Sequence, residues 1–165
     1  MSDQNEEEQR EDSLPLRVRD VMVREVITVD ENSTVKEAVD IMNEFQIGSL
    51  IVLERGKARG IVTERDFLRR VLAGAKDVMN TKVKEIMTTP LVVVEPNMDL
   101  EEAVKLMFQN KIKKLAVVDA NKLVGIVTLT DIARFQPQMI KMLKQLTTKQ
   151  ATPKSIQKVI DYYIV

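Results

Sequence analysis

The chain has no cysteine, no histidine and no tryptophan, and its aromatic residues are two Tyr and four Phe in 165 positions. Without cysteine there is no disulfide framework and no thiolate to act as nucleophile or metal ligand. Without histidine the commonest metal ligand and the commonest general base at neutral pH are missing, which argues against most hydrolytic or metal-dependent chemistry. No window approaches about 18 consecutive apolar residues, and no charged, apolar, small-residue leader opens the chain, so a cytoplasmic protein without a membrane segment is expected. An aromatic content of 4% and a net charge of zero count against nucleic-acid binding, which draws on base stacking and a basic field.

The balance of 25 acidic and 25 basic residues hides an asymmetry. Residues 1–13 carry Asp3, Glu6, Glu7, Glu8, Glu11 and Asp12 against Arg10 alone, which reads as a disordered acidic leader. Residues 136–165 read as a basic, amphipathic helical tail, with Lys141, Lys144, Lys149, Lys154 and Lys158 against Asp161. There, Thr152-Pro153 caps a stripe of Ile156, Val159, Ile160, Tyr163 and Ile164.

Between these ends the chain matches itself. A shift of 65 residues superimposes 18–70 on 83–135 without a gap and with about a third of positions identical. Met22 falls on Met87, Glu37-Ala38-Val39 on Glu102-Ala103-Val104, and Gly60-Ile61-Val62-Thr63 with Asp66 on Gly125-Ile126-Val127-Thr128 with Asp131. Each copy predicts strand, helix, strand, strand, helix: 14–73 forms the first and 74–135 the second. The opening strands are Val26–Val29 and Leu91–Val94. Thr34 with Glu37 and Asp99 with Glu102 read as capping boxes. The helices they open would bury Val35, Ala38, Val39, Met42 and Phe45 in one copy and Leu100, Ala103, Val104 and Met107 in the other. Strands 50–53 and 60–62, mirrored by 115–118 and 124–127, predict hairpins. One such unit buries too little apolar surface to stand alone. The expected fold is therefore α/β (α+β), two βαββα units packed through their sheets about a pseudo-twofold axis, followed by the helical tail.

This order of elements, the Met22 and Met87 lead-ins and the repeated glycine-apolar-apolar-Thr-x-x-Asp ending resemble a tandem pair of cystathionine-β-synthase (CBS) domains, a Bateman module, over about residues 16–135. The resemblance implies a non-enzymatic regulatory module that binds AMP, ADP, ATP or S-adenosylmethionine between the repeats, with no obligatory cofactor and no metal. It implies ribose binding by Thr63 and Asp66 in one site and Thr128, Thr130 and Asp131 in the other. Basic and hydroxyl groups around the middle strands, Lys113, Lys114 and Ser49, together with Arg65, would meet phosphate. Thr28, Val93, Ile47, Ile112 and Gly48 would meet adenine. Other roles are open for these residues. Threonine followed three residues later by an acid caps a helix whether or not it binds anything, exposed lysines are ordinary surface, and Gly48 could serve as a turn or helix C-cap. The resemblance also implies a homodimer, formed through the helices that begin at Phe67, Leu68 and Ile132, and an unidentified effector protein. The competing readings are an interaction scaffold with a vestigial cleft, and a nucleic-acid-binding protein using Lys111, Lys113, Lys114 and the basic tail.

Overall fold

The computed structural model describes residues 15–135; the expected acidic leader and basic helical tail lie outside the described residues. In the first half, α1 (Val18–Val21) precedes β1 (Thr28–Asp30), α2 (Val35–Phe45), β2 (Ser49–Glu54), β3 (Lys57–Thr63) and α3 (Glu64–Asp66), which runs on as a π-helical turn over Phe67–Leu72. In the second, a 3₁₀ turn over Val83–Glu85 leads to β4 (Val93–Val94), α4 (Leu100–Gln109), β5 (Lys114–Asp119), β6 (Lys122–Thr128) and α5 (Leu129–Phe135). Each half forms a three-stranded sheet in which the short first strand pairs parallel with the second and the second antiparallel with the third. The class is mixed α+β, as the sequence predicts. The opening strands are shorter than the apolar runs that announce them, because ladder pairing begins only at Thr28 opposite Ile51 and at Val93 opposite Ala116.

Local chemistry explains most element boundaries. The hairpins turn on Arg55-Gly56 (φ 49° and 77°) and Ala120-Asn121 (φ 45° and 63°), two positive-φ residues in each case, which is the handedness that matches the strand twist. Both hairpins carry a register shift, between Val52 and Leu53 and between Val117 and Val118. Helix α2 starts at a reciprocal capping box: the Glu37 N–H donates to Thr34 Oγ1 at 3.2 Å and the Thr34 N–H donates to Glu37 Oε2 at 2.6 Å. The Thr34 N–H, and the Thr34 hydroxyl that also donates to Glu37 Oε2 at 3.1 Å, hold the Glu37 carboxyl below its ordinary pKa. The expected second box is a simple cap instead, in which Asp99 Oδ1 accepts the Glu101 N–H at 2.8 Å. A carboxylate at the cap repels a returning Glu102 carboxylate, whereas the neutral Thr34 hydroxyl admits Glu37. Val35, Ala38 and Met42 are buried as expected, but Phe45 is 50% exposed, on the last residue of α2 before Gln46 turns into the left-handed conformation at φ 52°.

The two cores do not follow chain order. The core under β1–β3 is completed by Val83 and Ile86 from the second lead-in, and the core under β4–β6 by Val18, Val21 and Met22 from the first. Each lead-in also pairs with the far sheet: Val23 and Ile126 exchange backbone hydrogen bonds of 2.8 and 2.9 Å, and Thr88 and Ile61 exchange bonds of 2.8 and 3.1 Å. The repeated glycine makes this crossing fit. A Cβ on Gly60 would lie 2.8 Å from the Thr88 carbonyl oxygen, and one on Gly125 would lie 2.7 Å from Met22 Sδ and 3.1 Å from the Val23 carbonyl oxygen. Along β2, Leu50 and Val52 enter the first core while Ile51 between them is buried outside it, so the other face of the sheet is covered as well. There β3 approaches β6, and the halves meet across the pseudo-twofold axis.

Candidate functional site

A cleft of about 220 Å³ opens where the halves meet. The first half supplies Val23, Glu25, Val26 and Ile27 from the segment before β1, and Ile47, Gly48, Ser49 and Ile51 from the entry to β2. The second half supplies Lys114 at the start of β5, Ile126 and Thr128 at the end of β6, and Asp131 in α5. The wall is thus mostly β-branched and apolar, and its polar groups converge from both copies. That is the composition of a small-molecule site.

Asp131 is fixed by the turn that starts its helix. Thr128 donates to Asp131 Oδ2 twice, from its backbone N–H at 3.2 Å and from Oγ1 at 2.6 Å, and the Asp131 N–H returns a bond to Thr128 Oγ1 at 3.1 Å. Both bonds that the carboxylate accepts use the same oxygen. Oδ1 accepts nothing from the described residues, so an oriented anionic acceptor faces the cleft.

Lys114 is half-buried, and its Nζ donates to Ser49 Oγ at 2.9 Å. The two residues are repeat counterparts, 65 positions apart, that meet across the axis. Burial pulls the Lys114 pKa below the ordinary lysine value, while the negative charges of Glu64 and Asp131 push it back up. Gly48 lies at the rim, where a Cβ would stand 3.2 Å from the Glu64 carboxylate. Because Gln46 already provides the left-handed C-cap of α2, helix termination does not account for the glycine.

The pseudo-equivalent position in the other half is built differently. Thr63 holds Asp66 Oδ2 through its N–H and Oγ1, both at 2.8 Å, repeating the second copy. Here, however, Oδ1 is also taken: Thr88 Oγ1 donates to it at 3.3 Å and the Arg70 guanidinium stands 3.6 Å away. Arg70 is itself tied to the carbonyl oxygens of Ile86 and Met87 at 2.6 and 2.7 Å, so Asp66 is closed in and only 9% exposed. The repeat offset places Val23 opposite Thr88 and Phe135 opposite Arg70, and neither can donate such a bond.

Of the residues singled out from sequence, the structure brings Ile47, Gly48, Ser49, Lys114, Thr128 and Asp131 into one cleft. Thr63 and Asp66 form the closed counterpart. Thr130, Arg65 and Lys113 are exposed and outside the lining; Ile112 packs against the second core; Thr28 lies in β1, and Val93 is exposed in β4. Sequence reasoning missed Val23, Glu25, Val26, Ile27, Ile51 and Ile126. A signal for the first four existed, since no position from 23 to 27 is identical to its counterpart from 88 to 92. Among the described residues no three His, Cys, Asp or Glu side chains are grouped to hold a metal ion, and no helix is long and apolar enough to cross a membrane.

Comparison with known proteins agrees with this architecture. The family profile described as CBS domain matches residues 18–73 and 83–137. The chain is 44% identical over 116 residues to the CBS domain-containing protein YhcV of Bacillus subtilis, covering 70% of this chain and 82% of that one. Other curated relatives are longer, and the chain spans 66% of one and 22% of another. The hexameric CBS-CP12 protein from bloom-forming cyanobacteria superimposes with a TM-score of 0.68 at 33% identity, covering 76% of this chain and 73% of that one. The CBS domain pair of protein MJ0100, in complex with 5-methylthioadenosine and S-adenosyl-L-methionine, does so with a TM-score of 0.66 at 29% identity, covering 73% and 95%.

Proposed function

We infer the function from one premise: this chain belongs to the CBS domain family and carries two such domains as a pair, a regulatory module. We propose that it senses adenosine-containing metabolites, with AMP, ADP, ATP and S-adenosylmethionine as candidates, and that it acts as a non-enzymatic switch. The observation that carries this reading is the Asp131 carboxylate, held by Thr128 through one oxygen and presenting the other to a cleft with apolar walls. A carboxylate in that position can accept both hydroxyls of a ribose, the Ile and Val side chains with Gly48 offer a slot for a flat base, and Lys114 stands where a substituent of the sugar would reach it. The adenosine ligands of the MJ0100 pair support the same chemistry.

The lining comes from both halves, so a bound ligand bridges them and favours the arrangement of the halves that fits it. An effector protein that distinguishes the two arrangements would receive the signal. Because Asp66 is closed by Thr88 and Arg70, one ligand is expected per chain. Calorimetric titration of the full chain with AMP, ADP, ATP and S-adenosylmethionine tests the reading: binding with a stoichiometry of one supports it. Absence of heat and of any melting-temperature shift at millimolar concentration would leave the scaffold reading in its place.

Self-association is part of the proposal. Leu68 and Leu72 on the helix after β3 are 60% and 74% exposed and Phe135 at the end of α5 is 56% exposed, whereas Phe67 and its repeat counterpart Ile132 pack into the cores, so a dimer would use Leu68, Leu72 and Phe135 rather than Phe67 and Ile132. Light scattering of the full chain should give a dimer mass that Leu68→Glu reduces to that of the monomer.

A further inference from the structure

Resting on the adenosine reading of the cleft, we propose that the site selects adenosine derivatives whose 5′ substituent is uncharged or positively charged, such as a thioether or sulfonium, over adenosine polyphosphates. The charges that line the cleft are Glu25, Asp131 and Lys114, two negative and one positive. Lys114 is half-buried and already donates to Ser49 at 2.9 Å. The other basic groups that the sequence offered to phosphate, Arg65 and Lys113, are exposed and do not line the cleft.

A triphosphate entering this lining would exchange its water for one ammonium and would come to lie beside two carboxylates. Desolvation and like-charge repulsion both oppose that exchange. A thioether brings no charge and suits the apolar wall of Val26 and Ile27. A sulfonium amino acid brings one carboxylate, for which Lys114 is the matching partner, and two cationic centres, for which Glu25 is. The complement of charges is therefore reversed relative to a phosphate-binding site.

Glu25 is the residue that sets this preference. Glu25 is itself exposed, and its carboxylate has no hydrogen bond or ion pair among the described residues, so its charge is held back only by solvent and salt and acts most strongly at low ionic strength. The repeat does not impose it either, because its counterpart in the second copy is Pro90.

The test is calorimetric titration of the full chain at low ionic strength with 5′-methylthioadenosine, S-adenosylmethionine, AMP and ATP. The two sulfur compounds should bind at least about tenfold more tightly than ATP, with AMP between them. Glu25→Gln should narrow the gap by about threefold or more, chiefly by improving ATP binding, since one repulsive charge is removed. Tighter binding of ATP than of both sulfur compounds, or a gap that Glu25→Gln leaves unchanged, overturns the charge selection while leaving an adenosine site in place. Failure of all four to bind removes the adenosine reading itself, and the selection with it.

Discussion

Asp66 and Asp131 occupy the same place in the two copies and accept the same pair of bonds from the threonine three residues before them. Among the described residues, two contacts to the second oxygen set them apart. Thr88 and Arg70 occupy the second oxygen of Asp66, while the corresponding Val23 and Phe135 leave that of Asp131 open to a cleft. The comparison separates two demands placed on one motif. Capping a helix start needs one carboxylate oxygen, and both copies satisfy it. The proposed ribose binding needs the other, and among the described residues only the second copy leaves it without a partner.

Asp131→Asn and Asp66→Asn test this contrast most strongly. Asparagine keeps an acceptor for the cap but loses the charged acceptor, so Asp131→Asn should weaken adenosine-ligand binding by about 1.5–3 kcal/mol, roughly tenfold or more, with little change in melting temperature. Asp66→Asn should leave binding intact and lower stability by about 1 kcal/mol through the weakened contacts to Thr88 and Arg70. Calorimetry and thermal melting of both variants give the answer, and a loss of binding in Asp66→Asn would show that the copies are functionally alike after all.

A smaller effect sharpens the contrast at the strand glycines. Gly60→Ala drives a Cβ toward a backbone carbonyl at 2.8 Å and should cost about 1–3 kcal/mol, as overpacking does. Gly125→Ala first meets the movable thioether of Met22, with the Val23 carbonyl at 3.1 Å, and should cost about 1 kcal/mol or less. Urea denaturation of the two variants measures the difference, and equal losses would mean that the Met22 side chain is as firmly held as the Thr88 backbone.

What the sequence made legible was local. Hairpin strands, the Thr34–Glu37 box and the buried stripes of both long helices follow from spacing over a few residues, and the structure contains them. The glycine-to-aspartate ending was visible as a repeat, but the reason for its glycine was not, because the atoms that require Gly60 belong to Thr88 on the crossing lead-in. Val26 and Ile27 looked like the start of a strand, since apolar β-branched residues read alike whether they face a partner strand or a cleft. Ile132 looked as exposed as Leu68, yet a lead-in from the other half covers its side of the core. In each case the deciding contact joins residues far apart in the chain, which periodicity cannot register.

The crossed lead-ins also bear on the order in which a newly made chain can settle. Val23 reaches its partner strand only through Ile126, a closure over about 100 residues, so this contact is among the slowest kind for a domain of this size to form. During synthesis from the N-terminus, the first sheet cannot complete its core until Ile86 has left the ribosome, and the first lead-in, which bonds earlier to Pro96, Met98 and Leu100, has no strand to pair with until β6 has followed. The first lead-in is thus made before the sheet that completes its burial, and until that sheet forms Val18, Val21 and Met22 remain an uncovered apolar segment.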